Sequence, residues 1–485
     1  MLLLHANLNI PPQNIEHIHL MGICGTGMAA LAGMLQEAGY TVTGSDQQIY
    51  PPMSEFLVER GIKIIEGYAA ENLSPAPDLV IVGNVITKTN PEAIALSRTD
   101  ICYLSFPQAL AHFFIRGRTS LVVAGTHGKT TTCSLLASAL FHARLDPSFM
   151  IGGIVREFNA NFRLGKGACF ISEGDEYDSA FFDKGSKFLH YRPHIAILTS
   201  VEFDHADIFP DLEAIKQTFR KFVALIPEDG LLIANFDDEN VRKVIKDARC
   251  SLQSYGLSSS YDWSLGERRT KDGKTTFAIQ RNGQQIDRLA LAMTGRHNCL
   301  NALAVWAVLH KLEVQGIMAK EGFSSFQGVK RRQEVRGERY GITVIDDFAH
   351  HPTAVKETIS ALKGGYPGRR LVVVFEPRTN SSRRSIFQKD YVEAFQEADL
   401  VLLREPIPLD NFKGELFSSR QLAQDLKEIF ELQASAYDNT DAILESLEKQ
   451  LQQGDVVAIL SNGGFDNIHQ RLLDQLQERL EHNAE

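Results

Sequence analysis

The chain has 485 residues, 44% of them hydrophobic and 23% charged, with a formal net charge of −10. That length suits about three packed domains, and the acidic balance excludes a protein that holds nucleic acid through a general basic field. No apolar run is long enough to span a bilayer, and the opening Met-Leu-Leu-Leu-His lacks the cationic start of a secretory signal, so no membrane partner is expected.

The first predicted strand is Ile15 to Met21. It runs into Gly22-Ile-Cys-Gly25-Thr26-Gly27, a helix from Met28 to Ala38 closed by Gly39, and a second strand, Tyr40 to Thr43, ending at Gly44-Ser45-Asp46. This is a Rossmann-like βαβ unit, in which glycines let the backbone approach a diphosphate and an acidic residue follows the second strand. The spacing is G-x-x-G-x-G, so a plain dinucleotide site competes with a tight turn that holds nothing. Strand-like runs at Leu79 to Val82 and Ile101 to Leu104 continue the α/β pattern. A basic hinge, Arg116-Gly-Arg-Thr-Ser120, closes the first block at residue 118.

The second block opens on an apolar strand, Leu121 to Val123, followed by Ala124-Gly125-Thr126-His127-Gly128-Lys129-Thr130-Thr131 and a helix with Leu135, Leu136 and Leu140 at helical spacing. Strand, glycine turn, Lys-Thr and helix form a phosphate cradle: backbone N–H groups and the helix N-terminus face the anion, the ammonium reaches the outer phosphates, and the hydroxyl ligates Mg²⁺. Ala124 stands where the strict pattern has its first glycine. Two further strands, Ala168 to Ile171 and Ile195 to Leu198, run into acidic loops carrying Glu173 and Asp204-His205. Ligands of open parallel sheets sit beyond the C-terminal strand ends, and carboxylate with imidazole suits a divalent cation there. An Asn282-Gly283 hairpin follows, between Thr275 to Gln280 and Gln285 to Leu291. Asn298 and Asn301 begin an apolar helix that ends at Leu312; capping and hydrogen bonding to a nucleotide are both open to them.

The third block, after Lys330-Arg331-Arg332, alternates strand and helix again. Its strands are Thr343 to Ile345, Leu371 to Phe375, Leu400 to Leu403 and Val456 to Leu460; its helices start at Pro352, Ser385, Ser419 and Phe465. Polar clusters at the strand ends (Asp346-Asp347 with His350-His351, Glu376 to Arg383, Ser461 to Gly464) make a ligand face. The charged tail from Asp474 to Glu485 reads as a solvated helix end. The six cysteines, Cys24, Cys102, Cys133, Cys169, Cys250 and Cys299, show no C-x-x-C pairing and read as small core residues of a cytoplasmic protein.

The constellation Gly125-Thr-His-Gly-Lys-Thr-Thr131, Glu173, His205, His297-Asn298-Cys-Leu-Asn301, Arg332 and Asp347 in Asp-Asp-Phe-Ala-His-His-Pro resembles the Mur ligases, the ATP-dependent amide-forming enzymes of bacterial peptidoglycan metabolism. The resemblance implies an α/β protein of three domains: a Rossmann-like UDP-sugar domain (1–118), a central P-loop ATPase domain (119–331) and a Rossmann-like domain for the incoming amine (332–485). Two branches of the family accept UDP-N-acetylmuramic acid. One adds L-alanine; the other attaches the recycled tripeptide L-alanyl-γ-D-glutamyl-meso-diaminopimelate. Segments such as Gly44 to Ser54, Gly174 to Lys184 and Glu202 to Phe209 resemble the second branch.

The resemblance further implies that Gly125, Thr126, His127, Gly128, Lys129, Thr130 and Thr131, with Asn298, Asn301 and Asp347, bind ATP. Thr130, Glu173 and His205 would hold Mg²⁺, and Lys129, Glu173, His205, Arg332 and His350 would serve the chemistry. Gly22, Gly25, Thr26, Gly27, Met28, Ser45 and Asp46 would take the UDP moiety. Arg378, Asn380 and Arg383 would grip the anionic tripeptide, and His350 or His351 would position its amine; surface or capping roles stay open for these five. Where some members carry a carbamylated lysine this chain has Arg220, so no carbamate is expected and Arg220 is expected to take its place. Two readings outside the family, a nicotinamide dehydrogenase and a slow P-loop switch, leave Lys129, Glu173 and His205 or the whole third block without a purpose.

Overall fold

A computed structural model describes residues 4–49, 51–271, 273–314, 316–407 and 414–482. Tyr50, within the Gly44 to Ser54 segment, and residues 483–485 of the charged tail lie outside it. Among the described residues the chain forms three α/β layers around sheets of five, ten and six strands.

The first sheet is all parallel, in the order Lys63–Glu66, Thr41–Asp46, His17–Met21, Leu79–Val82, Cys102–Ser105. Its inner strand Leu79–Val82 is apolar throughout and fully buried, whereas its neighbour His17–Met21 buries His19 against Glu92. The helix after the glycine loop starts at Thr26, two residues before the sequence places it, since Gly25 with extended backbone acts as its N-cap.

The central sheet positions the site. The strand Thr119–Ala124 lies between Cys169–Gly174 and Ile195–Leu198, all parallel. The register pairs Val123 with Glu173 and Ala124 with Leu198, so the phosphate loop and both acidic loops leave the sheet at one level. Parallel strands Leu231–Asn235 and Ser251–Gly256 extend one side, and Trp263–Lys271, Lys274–Arg281 and Gln284–Leu291 complete it as a meander. Its second turn is Asn282-Gly283, both with positive φ, as a tight hairpin needs. The helix Lys129–His142 is buried from Thr130 to Leu140 against helices Arg296–Lys311 and Ile317–Ser324.

The third sheet runs Glu334–Arg339, Ile342–Asp347, Val456–Leu460, Leu371–Phe375, Leu400–Arg404, Gln433–Tyr437, with only the first strand antiparallel. Two sequence expectations change here. The helix expected from Ser385 is a short 3-10 turn followed by Gln388–Ala394. The charged tail is half of an amphipathic helix, Ile468–His482, whose Leu472 and Leu476 are buried on the sheet, so it is packed and not merely solvated. No helix among the described residues is long and apolar enough to cross a membrane.

Candidate active site

The phosphate loop is a backbone construction. Gly125 has φ +132° and Gly128 φ +80°, both in the region that favours glycine. A Cβ on Gly125 would fall 2.2 Å from Thr199 Oγ1, and one on Gly128 would fall 3.0 Å from Asn301 Oδ1. The loop is tied to the next strand end: Thr199 donates to the His127 carbonyl at 2.6 Å, the His127 N–H donates to Ser200 Oγ at 3.0 Å, and the Glu202 N–H donates to Thr126 Oγ1 at 2.9 Å. Lys129, Thr130 and Thr131 then begin the helix, so its unpaired N–H groups face the loop.

Behind the loop lies an acidic cluster. Thr130 donates to Glu173 Oε2 at 3.1 Å, and Glu173 Oε1 accepts the Gly152 N–H at 2.6 Å. Burial and the neighbouring Asp175 push the Glu173 carboxyl upward. Lys129 Nζ donates to Glu176 Oε2 at 3.0 Å and to the Gly125 carbonyl at 2.7 Å. His205 Nε2 stands 3.4 Å from the other Glu176 oxygen. Burial disfavours charge on Glu176, but Lys129 and His205 outweigh it and hold the carboxyl at about 2. His205 is raised in turn: burial opposes its charge, while Glu176 and Asp204 favour it. A hydroxyl on a buried carboxylate is a donor set that fits a hard divalent cation, and the neighbouring Asp175 is itself paired with Lys187 at 3.3 Å. The structure joins Thr130 to Glu173, whereas His205 is paired with Glu176. His205 also has φ +52°, an unusual backbone for a non-glycine residue, held by the loop around it.

A cleft of about 550 Å³ opens beside the loop, between the central sheet and the third domain. That volume suits a nucleotide-sized ligand. His127, Gly128, Thr130, Thr131, Asn298, Asn301, Arg332 and Asp347 all line it. Asn298 donates to the Thr294 carbonyl at 2.7 Å and so braces its own helix, while Asn301 packs on Gly128. Asp347 accepts N–H groups from Gln333 at 2.7 Å and Ala349 at 2.8 Å. The Arg332 guanidinium lies 4.9 Å over the Phe348 ring and is attracted by Asp347 and Glu173. Sequence reasoning misses Asn235, Asp237, Tyr255, Leu257 and Glu357 in the same cleft, and His297, read only as part of the helix start, lines it too. A signal existed: Leu231 to Ala234 is an apolar run ending in Asn-Phe-Asp-Asp, the pattern that marks the other two strand ends.

The third domain reaches this site through histidines and a polar loop. Glu202 accepts from Thr353 Oγ1 at 2.6 Å and lies 3.3 Å from His127 Nε2 and 3.7 Å from His351 Nδ1. His127, Glu202 and His351 are the group of metal-capable side chains that lies closest together among the described residues. However, His351 Nε2 donates to the Phe203 carbonyl at 3.1 Å and its Nδ1 accepts the Thr353 N–H at 3.3 Å, so it serves as a helix cap and an interdomain clasp. His350 bonds the Phe348 carbonyl at 3.0 Å, and burial lowers its pKa. The loop with Arg378, Asn380 and Arg383 grips the His205 loop: Asn380 donates to Asp207 at 3.0 Å, Ser381 accepts the Ala206 N–H at 3.2 Å, and Arg384 donates to the Ala206 carbonyl at 2.6 Å. Arg383 donates to Asn380 at 3.2 Å and to the Ile407 carbonyl at 3.3 Å. Arg378 is half exposed and lies against Gly463.

In the first domain, Gly22 (φ +79°) and Gly25 lie in the loop, Thr26, Gly27 and Met28 open the helix, and Gly27 faces the Phe106 ring. Ser45 and Asp46 differ from expectation. Ser45 is fully buried and donates to Glu92 at 3.0 Å. Asp46 accepts the Cys24 N–H at 2.8 Å and the Gln48 N–H at 3.1 Å. Both therefore hold the glycine loop in shape from behind. Arg220 also departs from expectation: it sits on the surface of the helix Leu212–Ala224, paired with Glu213 at 2.7 Å, and so does not stand in for a site lysine.

Comparison with known proteins agrees with this geometry over the whole chain. Residues 17–118 match the Mur ligase family catalytic domain, residues 123–309 the Mur ligase middle domain, and residues 331–463 the Mur ligase glutamate ligase domain. The UDP-N-acetylmuramate–L-alanyl-γ-D-glutamyl-meso-2,6-diaminoheptandioate ligase of Haemophilus influenzae is 39% identical, across 96% of this chain and 100% of its own. A UDP-N-acetylmuramate–L-alanine ligase of a Geobacter species is 35% identical, across 96% and 98%. The crystal structure of a murein peptide ligase from Psychrobacter arcticus superposes with a TM-score of 0.70 at 35% identity, covering 95% of this chain and 99% of that one. Matched across all three sheets, with its phosphate loop in the middle one, the chain belongs to the Mur ligase family of ATP-dependent amide-forming ligases.

Proposed function

We propose that this protein joins the lactyl carboxylate of UDP-N-acetylmuramic acid to the free amine of L-alanyl-γ-D-glutamyl-meso-diaminopimelate, in the cytoplasm, as a step of peptidoglycan recycling. The observation that carries the reading is the 39% identity to a ligase of that name over nearly the whole of both chains, against 35% for an L-alanine ligase. The proposed division of labour is residues 1–118 for the nucleotide sugar, 119–331 for ATP and 332–485 for the peptide.

The carboxylate attacks the γ-phosphorus of ATP and expels ADP, forming an acyl phosphate; the amine then attacks the acyl carbon, forms the amide and expels phosphate. Lys129 and the loop N–H groups hold the phosphates and offset the repulsion between two anions. Thr130, Glu173 and His205 are the residues that would hold Mg²⁺, whose charge further neutralises the phosphates. Asn298, Asn301 and Asp347 shape the adenosine side of the cleft, and Arg332 brings a cation between Asp347 and Glu173. The glycine loop Gly22 to Gly27 takes the UDP diphosphate. Burial favours the neutral form of His350, which would receive the proton released as the amine attacks the acyl carbon. Arg378 offers an exposed guanidinium for a peptide carboxylate. The clasp between Glu202, Thr353 and His351 keeps water from an activated acid.

The test is an incubation with ATP, Mg²⁺ and UDP-N-acetylmuramic acid, with either tripeptide or L-alanine, followed by mass spectrometry. Product with the tripeptide is the expected result. Product with L-alanine alone assigns the chain to the other branch.

A further inference from the structure

The mechanism uses Lys129 and His205 but gives no part to the carboxylate between them. Glu176 is almost fully buried, with its side chain 2% exposed. One oxygen lies 3.0 Å from Lys129 Nζ and the other 3.4 Å from His205 Nε2. Its backbone is pinned as well, because Ser186 Oγ donates to the Glu176 carbonyl at 2.6 Å. Lys129 also donates to the Gly125 carbonyl at 2.7 Å, so two of its three N–H groups meet these partners. The ammonium that should meet phosphate is thus already hydrogen-bonded to its own loop and offset in charge by Glu176.

We infer that Glu176 is a positioning residue with two opposed effects: it offsets the Lys129 charge that a phosphate would meet, and it orients His205 toward the cation. The first effect follows from competition. A phosphate oxygen must share Lys129 with a buried carboxylate whose charge offsets the ammonium and repels the phosphate, so Glu176 weakens the binding of metal-free nucleotide. The second follows from the proton on the imidazole. An anion at Nε2 keeps the proton there and leaves the Nδ1 lone pair for a metal, the arrangement by which outer carboxylates orient ligating histidines. Glu176 therefore opposes the nucleotide by itself and favours the metal that accompanies it. The balance discourages phosphates bound without their cation.

This inference rests on the ATP and Mg²⁺ assignments proposed above. The test compares the wild type with Glu176→Gln. ADP affinity is measured by calorimetry in EDTA, and Mn²⁺ affinity for the ADP-saturated protein is measured by electron paramagnetic resonance. Glu176→Gln should bind metal-free ADP at least ~5-fold more tightly, since an anion competing for Lys129 is gone. It should bind Mn²⁺ about 10- to 100-fold more weakly, the usual cost of losing an outer carboxylate. Glu176→Asp, which keeps the charge on a shorter arm, should show smaller shifts in the same opposed directions; it serves as the test if the Gln variant does not fold. Two affinities that stay put, or that move in the same direction, overturn the inference. Failure of the wild type itself to bind ADP, or Mn²⁺ in its presence, defeats the underlying assignment instead, before any variant is compared.

Discussion

Removing the Glu202 carboxylate should loosen the third domain from the central one. Glu202 belongs to the central domain, yet it accepts from Thr353 Oγ1 at 2.6 Å and faces His351 Nδ1 at 3.7 Å, both in the third. Within its own domain it meets His127 at 3.3 Å. Burial works against its charge, but His127, Thr353 and His351 together hold the carboxyl at about 2, down from 4.5. That fall corresponds to about 3 kcal/mol at ~1.4 kcal/mol per pH unit. The side chain is 30% exposed, so solvent screening trims the figure, and only part of it crosses the domain boundary, leaving roughly 1–2 kcal/mol for closure. In Glu202→Ala the ratio of closed to open molecules should fall by about 5- to 30-fold. The depressed pKa fixes the sign: the contribution is complete above the ordinary carboxyl range and drains away as pH falls from about 4.5 toward 2, so a measurement at pH 7.5 sees all of it. His351, lowered to about 4 chiefly by burial and the nearby His127, is neutral at that pH and gains its proton only as pH falls through the same window, so at pH 7.5 the Thr353 hydroxyl carries the bond across the boundary. The assay is the distance between fluorophores on the two domains, read molecule by molecule. A variant with the wild-type distance distribution at pH 7.5 refutes the clasp.

Three further outcomes can be checked directly. Lys129→Ala should abolish phosphate release while UDP-N-acetylmuramic acid still binds to the first domain; normal turnover in that variant would remove the phosphate-loop assignment. Gly125→Ala places a Cβ 2.2 Å from Thr199 Oγ1 at φ +132°, so ADP affinity measured by titration should drop by more than about 10-fold. Glu92→Ala strips a buried carboxylate from His19 at 2.8 Å, Ser45 at 3.0 Å and Asn72 at 2.8 Å, which should cost ~2–4 kcal/mol in denaturant unfolding of the first domain, and an unchanged midpoint would count against the network.

Much of the architecture is legible in the chain because its signals are local. The strands Leu79–Val82, Ile195–Leu198, Leu371–Phe375 and Val456–Leu460 stand where their apolar runs place them, and the helices at Pro352 and Ser419 start where Pro and Ser mark them. Less regular segments escape. Trp263–Lys271 alternates poorly because most of its outer half is exposed, and Gln433–Tyr437 is a short edge strand. Both are strands because a neighbour supplies the hydrogen bonds. Within the candidate site the phosphate loop reads directly from spacing, since a Gly-Lys-Thr turn between strand and helix has few other uses. Ser45, Asp46 and Arg220 show the opposite case, because residue type and position cannot say whether a polar side chain points to a ligand or to its own scaffold.

The sequence alone determined the family, the three α/β blocks and the Gly-Lys-Thr turn between strand and helix, because these depend on residue identity at short range. Only the tertiary structure decided that Glu176 stands between Lys129 and His205, that Glu202 joins Thr353 and His351, and that the Asn380 loop clasps the His205 loop. These contacts join residues up to about 180 positions apart. Their existence depends on which strand ends become neighbours and on how the domains close, and no local pattern of side chains encodes that.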